Sequence, residues 1–232
     1  MGVPEERYSK ITNKNMREIC LLKGFPCVWG KCAFCDYIED NGRDKKAMAA
    51  LNRSVLKKVT GEFGVLEVIN SGSCFELPEE TLSDIEAVVK EKKITKLFFE
   101  AHWIYRKRLD EMRKRMQVPI VFKIGVETFD NEFRQKVLNK NAGFSDPKEV
   151  AEYFDSPCLM VGIQGQTKEM IARDMECLKK FFRLGTVNVY NNNTTPIRRD
   201  EELVRWFMKE YRWLLDDPSV EVLYEITDFG VG

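Results

Sequence analysis

The sequence predicts an α/β protein on a parallel sheet, an open or partly closed barrel of six or seven strand–helix units. Three observations carry this expectation. Short apolar runs alternate with amphipathic charged stretches, the alternation recurs at roughly 30-residue intervals, and no repeat, low-complexity stretch or linker divides the chain. That order and spacing make right-handed crossovers onto parallel strands. In chain order, the apolar runs expected as strands are residues 18–22, 65–70, 96–100, 120–127, 159–163, 187–191 and 220–226. The amphipathic stretches expected as helices are 45–60, 79–92, 107–116, 130–139, 147–154, 167–184 and 200–215. Start signals support two of them. Asp146 precedes Pro147, which suits a first helical position, and Asp130 is followed by Phe133 and Val137 at helical spacing.

Side-chain parity along the strands adds a second reading. In 120–127, Phe122, Ile124 and Val126 share one face, and Val121, Lys123, Gly125 and Glu127 the other. Leu97, Phe99 and Ala101 oppose Lys96, Phe98, Glu100 and His102, while Val187 and Val189 oppose Asn188, Tyr190 and Asn192. Strands covered by helices on both faces read as continuous apolar runs. Polar groups on one face of three strands therefore point to a lined cavity, whereas a solvent-facing edge strand would account for only one.

Composition bounds the function. The 232 residues carry 37 basic and 37 acidic side chains, for a net charge of zero, and are 44% hydrophobic and 32% charged. This excludes disordered and collagen-like chains. No apolar run reaches the ~18–20 residues of a membrane span. The charged N-terminus lacks the apolar core of a secretory signal, and balanced charge argues against a nucleic-acid platform. The expectation is a soluble, cytoplasmic, single-domain protein spanning residues 1–232.

Seven cysteines, an odd number without a signal peptide, speak against a disulfide framework. Cys27, Cys32 and Cys35 fall in one Gly-containing loop after the first expected strand, where three thiolates can converge on one metal centre. Three close cysteines with an open coordination position suit an iron–sulfur cluster. The alternative is a structural zinc with Cys20 or His102 as fourth ligand, although zinc favours two separated ligand pairs. Cys20, Cys74, Cys158 and Cys177 read as small buried hydrophobes.

At this loop the chain resembles the radical S-adenosylmethionine (SAM) superfamily, whose signature is C-x3-C-x-aromatic-C. Phe34 fills the aromatic position, but Cys27 and Cys32 are separated by four residues instead of three. Four further segments match in order: Asn70-Ser71-Gly72-Ser73, Gly125-Val-Glu127-Thr with Lys140 beyond it, Gly162-Ile-Gln-Gly165-Gln-Thr, and Val189-Tyr190 through Thr195-Pro196. The match covers about residues 17–200. The resemblance implies a partial (β/α)6 barrel, TIM-barrel-like, with a [4Fe–4S] cluster held by Cys27, Cys32 and Cys35 and SAM as cofactor. Cofactor-binding positions carried over are Phe34, Ser71, Gly72, Ser73, Lys123, Glu127, Gly162, Gln164 and Asn188, with Glu127 toward the SAM ribose. Gly72, taken alone, reads as an ordinary turn.

Parallel-barrel sites lie at the carboxyl ends of the strands. That selects Glu100 and His102 as catalytic candidates and Asn191, Glu225 and Asp228 as substrate-binding ones. His102 is the only histidine; a packed or surface role is its alternative. Glu100 equally suits a salt bridge with Lys96 or Lys123, and Asn191, Asn192 and Asn193 equally suit a polar turn. Arg198 and Arg199 read as a helix-start surface pair. Trp206, Phe207, Trp213 and Leu214 sit at helical spacing and read as core. The Leu22-Lys-Gly-Phe-Pro-Cys27 lead-in, the lengthened spacing and the absence of added domains are similar to the queuosine lyases of bacterial queuine salvage. That likeness implies a nucleoside or nucleotide substrate whose 5′-phosphate Arg198 or Arg199 would hold, a flavodoxin or ferredoxin as electron donor, and no intact nucleic acid or membrane. Other radical SAM activities, or a zinc-stabilised βα binding module, are the alternatives.

Overall fold

The computed structural model describes residues 4–225 and 227–232. Two compact units divide the chain. One takes the residues up to Gly30, Tyr37–Phe122 and Phe229–Gly232; the other takes Lys31–Asp36 and Lys123–Asp228.

In the first unit, β1 (Tyr8–Ile11) pairs antiparallel with β2 (Arg17–Leu22), and β2, β3 (Val65–Asn70) and β4 (Lys96–Glu100) pair in parallel. The short polar β1 carries no periodic apolar signal, and sequence reasoning missed it. Helices α1 (Lys45–Leu56), α2 (Glu79–Glu91) and α3 (Leu109–Met116) make the crossovers. Asp44 caps α1 by accepting from the Lys46 and Ala47 amides. Ile19, Leu22, Leu66, Ile85, Leu97 and Phe99 form the core and are fully buried. Two buried ion pairs sit within it, Arg17–Glu67 and Arg7–Asp40, each at 2.5 Å. Breaking one alone would strand a buried charge, at about 3–5 kcal/mol.

The second unit holds the outer half of β5 (Ile120–Glu127), then β6 (Ser156–Val161), β7 (Gly185–Val189) and β8 (Val220–Leu223), paired in parallel in that order. Helices α4 (Pro147–Ala151), α5 (Lys168–Phe181) and α6 (Glu201–Glu210) connect them, capped by Asp146, Thr167 and Asp200. Several expected boundaries move. The strand expected at 159–163 begins and ends earlier, because Gly162 turns left-handed at φ +84°. The strand expected at 187–191 likewise becomes Gly185–Val189. The last residue of the strand expected at 220–226, Ile226, lies outside the described residues. The helix expected at 130–139 shortens to a π-helical turn, Phe133–Val137, closed by left-handed Asn139 and Asn141. Phe207 and Leu214 are core as expected, but Trp213 is 48% exposed, since α6 ends at Glu210 and the chain tightens into a 3-10 turn, Arg212–Leu215.

Candidate active site

Burial sorts the seven cysteines. Cys20, Cys74, Cys158 and Cys177 are buried, and none of the seven is in a disulfide. Burial pushes the Cys20 thiol up to about 12 and raises Cys74 as well, so these resist becoming thiolates and are inert as ligands. Cys27, Cys32 and Cys35 are half-buried. Cys27 belongs to the first unit; Cys32 and Cys35 belong to the second.

In the first unit the chain around Cys27 hangs on one buried carboxylate. Glu76 accepts from the Val28 amide at 2.7 Å through Oε1 and from the Ser73 amide at 2.5 Å through Oε2, and Tyr105 donates to Oε1 at 3.3 Å. Its own carbonyl accepts from the Phe25 amide at 2.8 Å. Burial raises the Glu76 pKa against the pull of those donors. Ser73 and Glu76 form a reciprocal capping box on a 3-10 turn, Cys74–Glu76. Gly72 is required there: a Cβ would lie 2.2 Å from Glu76 Oε2. Ser71 and Gly72 are half-buried, Ser73 is fully buried, and Asn70 Nδ2 donates to the Ser73 carbonyl at 3.1 Å. The Ser-Gly-Ser segment is thus a rigid turn after β3, tied to the chain around Cys27 by Glu76, a residue that sequence reasoning missed. Its capping-box spacing, Ser73-x-x-Glu76, was the available signal. Glu100 closes β4 half-buried. His102 caps the next turn, its Nδ1 accepting from the Ile104 amide at 3.3 Å, which places the neutral ring's proton on Nε2.

In the second unit, residues 31–36 are gripped by two segments. The Ala33 amide donates to the Leu138 carbonyl at 2.9 Å, and Asn139 Nδ2 to the Lys31 carbonyl at 2.7 Å. From after β7, Asn193 Nδ2 donates to the Phe34 carbonyl at 2.7 Å and to Asp36 Oδ1 at 3.2 Å, while the Thr194 amide donates to Asp36 Oδ2 at 3.4 Å. Asn193 Oδ1 in turn accepts from the Thr195 amide and hydroxyl, at 3.0 and 2.7 Å. Phe34 is buried among Phe133, Leu138, Met160, Ile163 and Tyr190, with Cys32 and Cys35 packed against this cluster.

Glu127 ends β5 at a register shift, in left-handed backbone at φ +65°. A non-glycine residue there carries strain of about 1–3 kcal/mol, which persists where surroundings over-determine it and clusters at functional sites. What holds it is Lys140, whose Nζ is 2.5 Å from Glu127 Oε1, both side chains being mostly buried. Gly125 makes the room: a Cβ would lie 2.5 Å from Glu127 Oε1 and 2.6 Å from Lys140 Nζ. Lys123, on the same strand, is buried too. Lys140 and Asn193 both lay inside segments that sequence reasoning picked out, yet neither was chosen as a site residue.

At the end of β6, Gly162 faces α6, where a Cβ would lie 2.2 Å from Val204 Cγ2. Gln164 is exposed, its amide donating to the Arg198 carbonyl at 2.9 Å, whereas Gln166 is buried and bridges the Ile163 amide and the Met160 carbonyl at 2.9 and 2.8 Å. Asn188 is half-buried on β7. Asn191 Oδ1 accepts from Arg199 Nη1 at 2.6 Å and its Nδ2 donates to the Tyr224 carbonyl at 2.8 Å. Arg198 is exposed and caps the Thr195 and Ile197 carbonyls at 2.5 and 2.9 Å. Glu225 and Asp228 are exposed, with Asp228 Oδ2 accepting from the Tyr224 and Glu225 amides at 2.6 and 3.0 Å.

Among the described residues, no three His, Cys, Asp or Glu side chains are gathered as they would be about a single ion. A [4Fe–4S] cluster spreads its thiolates over separate irons, so the donor chemistry is the relevant fit. Three half-buried cysteines close together in the chain, set apart from four buried ones, supply that donor chemistry.

The parallel strands with helical crossovers and the cysteine loop after β2 are those of the partial (β/α) barrel class to which radical SAM enzymes belong. No protein-family model and no curated protein matches the chain. Among solved structures, a queuine lyase from Clostridium spiroforme, bound to SAM and queuine, is 56% identical over 98% of this chain and 99% of its own, with a TM-score of 0.96. The radical SAM methyltransferase TsrM from Kitasatospora setae is a distant likeness, 8% identical over 73% of this chain and 35% of its own at a TM-score of 0.47. The chain belongs to the queuine lyase family, and is a radical SAM enzyme of the lyase class.

Proposed function

We propose that this protein releases the base queuine from queuosine or its 5′-phosphate by radical cleavage of the glycosidic bond. The observation that carries it is the 56% identity, over 98% of the chain, to a lyase whose structure holds SAM and queuine. When bound, the [4Fe–4S] cluster and SAM supply a 5′-deoxyadenosyl radical by reductive cleavage of the sulfonium. In this reading Cys27, Cys32 and Cys35 hold the cluster, and the turn of Ser71, Gly72 and Ser73 meets the methionyl end of SAM. Glu127, with Lys123 beside it on β5, reaches the ribose, and Phe34, Gly162, Gln164 and Asn188 complete the cofactor's surroundings. Glu100 and His102 are the acid–base groups, His102 offering its Nε2 proton. Asn191, Arg198, Glu225 and Asp228 take the substrate. Arg199 joins them through its bond to Asn191.

Among the described residues no helix is long and apolar enough to cross a membrane. We place the enzyme in the cytoplasm, as one catalytic domain with flavodoxin or ferredoxin as reductant, because an open cluster needs a reducing compartment. The test is anaerobic purification with iron, sulfide and zinc analysis, followed by turnover of queuosine and its 5′-phosphate with SAM and reductant. Queuine and 5′-deoxyadenosine should form, and Cys32→Ala should abolish both. Stoichiometric zinc without sulfide, or deoxyadenosine without queuine, would overturn the reading at the class and at the substrate respectively.

A further inference from the structure

One charged pair beside the cysteine loop is more elaborate than structural need explains. The Lys140 ammonium sits 5.5 Å from the centre of the Phe34 ring, between the positions of Cys32 and Cys35 in the chain, and 2.5 Å from Glu127 Oε1. Its side chain is 12% exposed. The backbone on which it rides is fixed from both sides: the Lys140 amide donates to the Arg134 carbonyl at 3.1 Å, and Asn139 ties to Lys31. Arg134 itself is fully buried and donates to the carbonyls of Thr128, Ala142 and Phe144 at 2.8, 3.2 and 2.5 Å. Glu127 meets the ammonium directly, in a setting where both side chains are mostly buried. A replaceable structural lysine does not require a glycine two residues from its partner, a left-handed glutamate and a buried arginine to hold it.

We propose that Lys140 is a positioning residue whose ammonium, held by Glu127 against Phe34, sets the reduction equilibrium of the iron–sulfur cluster carried by Cys32 and Cys35. The inference rests on the radical SAM reading above. Adding one electron to the cluster adds one negative charge, and a fixed cation in a low-dielectric setting favours that form. Glu127 and the buried Asp36 act in the opposite sense. The neighbouring charges therefore make a balance in which Lys140 is the cation and Glu127 both its anchor and its counterweight. A purely structural pair makes a different prediction from this one, since removing either partner would then do similar damage.

The experiment is a dye-mediated redox titration of the anaerobically reconstituted full-length enzyme, without SAM, followed by electron paramagnetic resonance. Lys140→Met should shift the equilibrium about tenfold toward the oxidised cluster, about 59 mV downward for one electron. Glu127→Gln should shift it upward by a similar factor, and Lys140→Arg should stay close to the wild type. Opposite signs for the first two variants support the proposal; equal signs, or no shift in either, overturn it. If Lys140→Met takes up no cluster, Glu127→Gln decides alone, an upward shift supporting and any other result overturning. A wild type with no reducible cluster would instead overturn the radical SAM reading itself.

Discussion

Asp174 shows how much a single buried side chain can govern. It lies fully buried on α5, accepts from the Phe129 amide at 2.6 Å through Oδ1, and leaves Oδ2 without a hydrogen-bond partner. Burial pushes its pKa up to about 7, with Asp130 adding to the rise and the Phe129 amide, Thr128 and Arg134 resisting it. An acid whose folded pKa exceeds its unfolded value of ~3.9 binds its proton more tightly in the native state. Stability from this group is therefore full near pH 4, falls as pH rises toward 7, and is flat beyond. Asp174→Asn, which keeps the acceptor for Phe129, should remove that slope, up to ~1.4 kcal/mol per pH unit. Urea unfolding of both proteins at pH 5, 6 and 8 reads it; parallel stability curves would refute the assignment. The residue was invisible in the sequence, where an aspartate in a charged helical stretch reads as a solvated face.

At the scale of elements, the braced polar side chains of each unit lie on segments that follow strands. The turn after β3 carries the capping box, the end of β5 carries the left-handed Glu127, and the segment after β7 carries Asn193. These placements follow from the sequence in part. Gly72 and Gly125 mark where polar side-chain atoms come too close for a Cβ, and Gly162 where the Val204 methyl does; all three stand in segments that the sequence motifs pick out. What sequence periodicity overextended was the helix after β5, which is cut short where Arg134 is buried and Asn139 and Asn141 turn left-handed. Asn193→Ala removes both side-chain donations to the cysteine loop and the internal brace from Thr195. With each hydrogen bond worth about 1 kcal/mol, the fold should survive with a modest drop in melting temperature. Iron bound per chain after reconstitution should fall by at least about half, as an unbraced loop loses pre-organisation. Unchanged iron content would show that the segment after β7 does not shape the loop.

For the molecule as a whole, 37 basic and 37 acidic residues leave no net field to gather a polyanion. Excess unmodified transfer RNA should therefore leave queuine release unchanged, measured at low and at physiological salt. Inhibition that fades steeply with salt would reveal a basic face and an RNA substrate. The sequence by itself determined the class: alternating apolar and charged stretches dictate parallel strands joined by helices, and three cysteines on the loop after β2 carry the resemblance to radical SAM enzymes. Such signals are local and periodic, so they survive in one dimension. Only the tertiary structure decided which polar side chains act together. Glu76 bracing the chain at Val28, Asn193 bracing Phe34 and Asp36, and Lys140 meeting Glu127 join residues 13 to 159 positions apart. No propensity or spacing specifies those pairings, because buried polar atoms choose partners by where packing brings a donor within reach.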